Sequence, residues 1–217
     1  MLNASLYGVL LEARESGAVG AVYGAIGGSE GILKERFLNL SRFPEEELKK
    51  LLTTPGTAIG SSRYALEEED YKAMEAIFRK HHIRYVLFNG GNGTMDACGK
   101  LVRALGSDSD IRVAGIPKTI DNDIGCSDYT IGFATACNTA IECIDKLRDT
   151  MQSHERCSVV EVMGRRAGHL ALQVGCAVGA TAICLPERQL DFDTEIVERM
   201  RIGRIKGRNH HIIIVAE

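Results

Sequence analysis

Apolar positions along this chain fall into two kinds of pattern, a helical period near 3.6 residues and short continuous runs, and in order they predict alternating helices and strands. Leu2, Leu6, Val9, Leu10 and Ala13 recur at helical spacing, so the chain opens in an amphipathic helix. Residues 18–23 form a small-residue apolar run read as a strand, and the glycines of 24–31 read as a turn-rich connection. Pro44 followed by Glu45, Glu46 and Glu47 predicts a helix start, with acids at the positive end of the dipole, and Thr54-Pro55-Gly56 stops it. Tyr71, Met74, Ile77 and Phe78 mark the inner stripe of a helix over 66–80, which leads through His81 and His82 into a strand at 84–88. Met95 to Leu101 has helical spacing again, and 111–116 is the next strand. Phe133, Cys137, Ala140, Ile141, Ile144, Leu147 and Met151 define a long helix ending near His154. The remainder reads as a strand at 158–162, a helix starting at 163–165 with Leu170, Leu172, Val174 and Val178 inward, and a strand at 180–185. A helix carrying Phe192, Ile196 and Met200, a basic turn over 201–208 and a last strand at 212–215 complete the chain.

Strands separated by helices imply right-handed βαβ crossovers and an α/β fold, a mostly parallel sheet with flanking helices in one domain. Ligands of such sheets bind beyond the carboxyl ends of the strands. Residues 89–94, 117–123 and 163–165, with Glu217, all fall there, so four candidate segments are expected to converge on one edge.

The first of these segments is a strand that stops at three glycines, Gly90, Gly91 and Gly93, and then becomes a helix. Glycines allow close approach of the backbone to a phosphate, and a helix N-terminus attracts anions. It is neither a Walker A loop, which needs Gly-Lys-Ser/Thr, nor the spaced G-x-G-x-x-G of a dinucleotide fold. The second segment adds a lysine, Lys118, a hydroxyl, Thr119, and two carboxylates two residues apart, Asp121 and Asp123. Those groups can orient a hydroxyl and handle phosphate, although an Asp pair at that spacing also occurs in Asx-turns. Adjacent His81 and His82 diverge on a helix end and read as a solvated cap rather than metal ligands.

The 217 residues are 45% hydrophobic, enough to bury a substantial core. A net charge of −3, from 26 basic and 29 acidic residues, leaves no electrostatic footprint for nucleic acid or anionic lipid. The seven cysteines lack a C-x-x-C pair and lie mostly in apolar patterns, which predicts reduced core residues in a cytoplasmic protein. No signal peptide or apolar run of about 18 residues is present, and no membrane association is expected.

The segments around Asn89-Gly90-Gly91-Asn92-Gly93-Thr94 and Gly115-Ile116-Pro117-Lys118-Thr119-Ile120-Asp121-Asn122-Asp123 resemble those of phosphofructokinases, which phosphorylate fructose 6-phosphate at its 1-hydroxyl. Gly60-Ser61-Ser62-Arg63, Asp128-Tyr129-Thr130-Ile131-Gly132-Phe133, Ser153-His154-Glu155-Arg156, Val160-Glu161-Val162-Met163-Gly164-Arg165 and Val215-Ala216-Glu217 extend the resemblance in the family's order over nearly the whole chain. It implies a Rossmann-like phosphofructokinase fold and phosphoryl transfer from ATP, with Mg2+, to give fructose 1,6-bisphosphate. By resemblance Asp121 accepts the sugar hydroxyl proton, with Asp123 beside it and Thr119 on the sugar side, and Arg165 and Arg63 are the stabilising cations. Gly90, Gly91, Asn92, Gly93, Thr94, Arg63 and Lys118 would bind the donor. Thr119, Asp121, Met163, Gly164, Arg165 and Glu217 would bind the sugar phosphate, and Arg156 that of a neighbouring subunit in a homo-oligomer, dimer or tetramer.

Two positions depart from the pattern. Asn92 stands where ATP-using members usually have a magnesium-holding Asp, so the metal site should be weaker there. Pyrophosphate-using members resemble this chain in Lys118 but typically carry Asp at the position of Gly93, so Gly93 argues for ATP, while Asn92 and Lys118 leave pyrophosphate open. Tyr7 and Leu11 stand where regulated bacterial members place effector-binding arginines, so that kind of effector control is not expected. Relative to the family, residues 1–217 correspond to the nucleotide-binding, catalytic half, without the first strand and phosphate loop and without the C-terminal sugar-binding half. The expectation from that correspondence is a segment with no appreciable kinase activity alone, and the competing reading is a silent nucleotide- or subunit-binding module. NAD and lipid kinases share a similar glycine loop but lack the 117–123 and 163–165 segments.

Overall fold

The computed structural model describes all residues, 1–217, which divide into two compact units, Met1–Lys118 and Thr119–Glu217. In the N-terminal unit the chain runs through helix α1 (Leu2–Glu15), strand β1 (Tyr23–Ala25), helix α2 (Gly28–Leu33), strand β2 (Phe37–Asn39), helix α3 (Glu45–Lys49), helix α4 (Glu68–Lys80), strand β3 (Tyr85–Gly90), helix α5 (Asn92–Leu105) and strand β4 (Arg112–Thr119). The last residue of β4, Thr119, opens the C-terminal unit. There follow β5 (Ile131–Gly132), α6 (Phe133–Ser153), β6 (Cys157–Val162), α7 (His169–Ala177), β7 (Ala182–Cys184), a π-helical turn (Asp193–Val197), α8 (Glu198–Ile205) and β8 (His211–Ala216).

In the N-terminal unit β3 and β4 run parallel, from Tyr85 opposite Arg112 to Gly90 opposite Pro117. The core is the predicted α4 stripe, Tyr71, Met74 and Phe78, packed with Val86 and Phe88 of β3 and with Cys98 and Leu101 of α5. Met74 and Leu101 are wholly buried, each contributing on the order of 1.5–3 kcal/mol of transfer free energy. A smaller cluster of Leu10, Leu40 and Leu48 ties α1 to α3. In the C-terminal unit the sheet order is β6-β8-β7, all parallel. Ile212 and Ile214 of β8 pack into a cluster with α6 and α7, and Ile213 packs on the other face with Ala182 and Ile196. After His211 this central strand is therefore apolar, from Ile212 to Ala216, as expected of a strand covered on both faces.

Several elements differ from the sequence expectations. The first strand is three residues long and displaced to Tyr23–Ala25, because its antiparallel partner, the unforeseen β2, reaches only from Phe37 to Asn39. The 24–31 connection begins in β1 and, after the positive-φ turn at Gly27 and Gly28, continues as helix α2. Strand β4 runs on to Thr119, because extended backbone accommodates Pro117 and β3 offers pairing as far as Gly90. Helix α7 begins at His169, not at 163–165, because Gly164 and Arg165 both have positive φ and cannot be α-helical. Leu147 and Leu172, read as inward, are exposed, and the basic stretch 201–208 is helical as far as Ile205 before the turn at Gly207. All seven cysteines are free, but only Cys98 and Cys137 are buried, so the expectation of core residues fails for Cys126, Cys143, Cys157 and Cys176, which are exposed. The four candidate segments lie at the ends of two parallel sheets rather than one. No helix is long and apolar enough to cross a membrane.

Candidate active site

In the N-terminal unit, β3 ends on Gly90, Gly91 is the N-cap of α5, and Asn92 begins the helix. The amides of Thr94 and Met95 both donate to the Gly91 carbonyl at 3.0 Å, so the turn closes on a single acceptor. A helix's first-turn amides have no partner within the helix and carry the positive end of its dipole. Gly90 is required by close packing, since a Cβ there would collide with Oγ1 of Thr94. Gly93 differs, because a Cβ there would meet no atom within 4 Å. Met95 lies directly over Gly115 of β4, where a Cβ would reach its sulfur at 2.5 Å, and this contact sets the start of α5 against the sheet. Asn89 donates from Nδ2 to the Leu2 carbonyl at 3.3 Å and so joins the end of β3 to α1.

Arg63 stands exposed on a separate loop, behind Gly60 with its φ of 73°. That loop rests on the Gly27–Gly28 turn, where the Gly27 amide donates to Ile59 O at 2.8 Å. Lys118 is half-buried near the end of β4. His81 caps α4 at its C-terminus and pairs through Nε2 with Glu35 at 2.6 Å, and no cluster of three His, Cys, Asp or Glu side chains could hold a metal. His81 alone is the cap; His82 follows it in the turn with φ 54°.

In the C-terminal unit the chain leaves β4 in a hook. The Asp121 amide donates to Oγ1 of Thr119 at 3.1 Å, Asn122 sits in the left-handed region with φ 55°, and Asp123 follows with its Oδ1 shielded from solvent. Asp121 itself is half-buried.

A second group forms at the ends of β6 and β8. Val162 pairs with Ala216, and the Glu217 amide donates to the Val162 carbonyl at 3.0 Å, so Met163 and Glu217 leave the sheet side by side. A tight turn follows: Ala167 N–H donates to Gly164 O at 2.9 Å, and any Cβ on Gly164 would collide with the Ala167 carbonyl. Arg165, with φ 58°, holds a conformation unusual for a residue with a side chain, and its amide donates to Oε2 of Glu217 at 3.3 Å. Glu187 fixes the far side of the turn by accepting the Gly168 amide at 2.6 Å, and this hydrogen bond holds its carboxyl below the usual range. Nothing in the sequence pattern singled out Glu187. A carboxylate one residue after the proline that ends an αβ strand is a weak signal.

Arg156 is not part of that group. It precedes β6, whose six residues separate it from Met163 by about 20 Å of strand. It is exposed, at the opposite end of the strand.

The whole chain, residues 1–217, matches the family model described as Phosphofructokinase. It is 40% identical over 199 residues to an ATP-dependent 6-phosphofructokinase of Brevibacillus brevis, covering 90% of this chain and 59% of that one. Its identity to the ATP-dependent 6-phosphofructokinase of Clostridioides difficile is 39%, over 100% of this chain and 65% of the relative. Among solved structures it superposes on a pyrophosphate-dependent phosphofructokinase from Nitrosospira multiformis with a TM-score of 0.86 at 28% identity, covering all of this chain and 57% of that one. It superposes on the phosphofructokinase of Saccharomyces cerevisiae with a TM-score of 0.84 at 29% identity, covering 99% of this chain and 32% of that one. The chain thus spans about three fifths of the length of these curated relatives. With a family model matched from its first residue to its last, the chain belongs to the phosphofructokinase family.

Proposed function

We propose that this chain supplies the donor turn and the catalytic carboxylate of an ATP-dependent 6-phosphofructokinase, which transfers the terminal phosphoryl group of ATP to the 1-hydroxyl of fructose 6-phosphate. The observation that carries the proposal is the hook after β4, where Asp121 is held by its own amide on the Thr119 hydroxyl. That arrangement fixes a half-buried carboxylate at the end of a parallel strand, where it accepts the sugar hydroxyl's proton as the hydroxyl attacks. The Thr119 hydroxyl, already accepting the Asp121 amide, keeps its own proton for donation to the sugar side.

Phosphoryl transfer is governed by positioning and by stabilising charge on the equatorial oxygens. Gly90, Gly91, Asn92, Gly93 and Thr94 receive the donor phosphates on the N-terminus of α5, with Lys118 as a further cation. Arg63 and Arg165 carry the planar forks that match phosphate oxygens. Met163, Gly164 and Glu217 hold the sugar phosphate, and Arg156 reaches that of a neighbouring subunit in a homodimer or homotetramer. Magnesium, the ion proposed to accompany the donor, takes one or two protein ligands and completes its shell with donor oxygens and water. Were the ion bound, it would neutralise charge on the donor phosphates, and the Asn92 amide oxygen is the ligand this chain would offer it. Seven cysteines, an odd number with no C-x-x-C pair, support a cytoplasmic location as part of this proposal.

The donor rests on Gly93. The open space around it leaves room for an adenosine, and the curated relatives quoted above are named ATP-dependent. Pyrophosphate is the second reading, favoured by Asn92, by Lys118 and by the likeness to the Nitrosospira structure. Comparing kcat/KM of the full-length gene product for the two donors decides between them, and a higher value with pyrophosphate overturns the assignment to ATP.

A further inference from the structure

Thr130 is only 3% exposed, and both its polar groups are turned onto the hook that carries Asp121. Its amide donates to Oδ1 of Asn122 at 2.8 Å, and its hydroxyl lies 2.8 Å from the Thr119 carbonyl and 3.2 Å from the same Asn122 oxygen. Asn122 completes the closure by donating from Nδ2 to the Asp128 carbonyl at 3.1 Å. One buried threonine and one asparagine thereby join both ends of the 119–130 loop.

The closure matters because of where Asn122 sits. In extended backbone the side chains of residues i and i+2 project to the same face, so Asp121 and Asp123 would stand side by side with like charges. The φ of 55° at Asn122 breaks that arrangement. Asparagine tolerates the left-handed region better than most residues with side chains, and here its amide group is also the hinge pin.

We infer that Asn122 and Thr130 are positioning residues: the pair sets the angle at which Asp121 leaves β4 and keeps it apart from Asp123, without touching substrate. This deepens the functional proposal above and rests on it for the identity of Asp121 as the base, but the loop closure stands on its own geometry. The substitutions that separate the two are Thr130→Val, which keeps the shape and loses the hydroxyl, Thr130→Ser, which restores it, and Asn122→Gly, which keeps the backbone conformation and loses all three side-chain bonds.

In the full-length gene product, amide hydrogen exchange over 119–131 is measured with β8 as an internal control, alongside steady-state kinetics. The Val and Gly variants are expected to exchange the Asp121 and Thr130 amides about tenfold faster or more, with β8 unchanged, because the loop opens locally rather than globally. Their kcat should fall about 10- to 100-fold while KM for fructose 6-phosphate moves less than about threefold, and Thr130→Ser should restore both readouts. Equal exchange in the Val and Ser variants, or a rise in KM with kcat intact, overturns the inference. Should the wild type transfer no phosphoryl group, the functional proposal fails, and the exchange comparison alone still decides whether the pair closes the loop.

Discussion

At the end of β3 the N-terminal unit offers mostly backbone: Gly90, Gly91 and Gly93 surround the first turn of α5, and the anion-attracting groups are amides and a dipole. Past the end of β4 the C-terminal unit does the opposite. Its hook is tied by the side chains of Thr119, Asn122 and Thr130, and the Gly164 turn by those of Glu217 and Glu187. On the proposed function, the contrast would follow the chemistry assigned to each end. A phosphate chain is received by any properly spaced set of donors, whereas a base must meet one hydroxyl at one angle. The donor end should therefore be sensitive to bulk, and the acceptor end to the loss of single polar atoms.

The largest effect should come at the acceptor end. Asp121→Asn is expected to lower kcat by at least about 100-fold with little change in KM for the sugar, as for loss of a general base. A raised KM with unchanged turnover would remove Asp121 from that role. Arg165→Ala should lower turnover and weaken sugar-phosphate binding together, since the same cation serves ground and transition states.

At the donor end the test is bulk, read as stability. Gly90→Ala should destabilise the fold by about 1–3 kcal/mol in urea denaturation, because its Cβ collides with Thr94. Gly93→Ala lies in open space inside a helix and should be neutral or stabilising by up to about 1 kcal/mol. Equal costs at the two glycines would contradict the packing described here. Gly93→Asp, by contrast, should leave stability near wild type and impair use of ATP selectively, which a comparison of kcat/KM across donors reads directly.

The smallest effect concerns His211, away from both ends. It is 2% exposed, shares a hydrogen bond with Thr181 at 3.1 Å, and has its Nε2 enclosed without a partner. Burial, with Arg208, His210 and Arg204 nearby, disfavours its protonated form and lowers its pKa below 6.5. The unfolded chain then binds the extra proton first, so stability is intact above that value and falls as the pH drops through it. Thermal unfolding of wild type and His211→Asn between pH 7.5 and 5.5 should show a steeper acid loss in the wild type, and parallel curves would count against this.

Much of this fold is legible in the sequence where one force dominates. The stripe of α4, that of α6 apart from Leu147, and the apolar run of β8 name their buried faces correctly, because burial decides them. Legibility fails where a tertiary partner decides. β1 lies where β2 can pair with it, and Leu147 and Leu172 keep helical spacing yet face outward. At the site, the glycines and carboxylates announce themselves by residue type. Asn122, Thr130 and Glu187 do not, since their work consists of hydrogen bonds to backbone groups up to 19 residues away, and no local pattern encodes those.

The most direct test of the account is phosphoryl transfer to fructose 6-phosphate by the full-length gene product, wild type and Asp121→Asn, with ATP and with pyrophosphate as donor in the presence of magnesium. The account predicts fructose 1,6-bisphosphate from the wild type with ATP at higher kcat/KM than with pyrophosphate, and a loss of about 100-fold or more in kcat in the variant with either donor. Turnover by Asp121→Asn near that of the wild type, or a preference of the wild type for pyrophosphate, would contradict it.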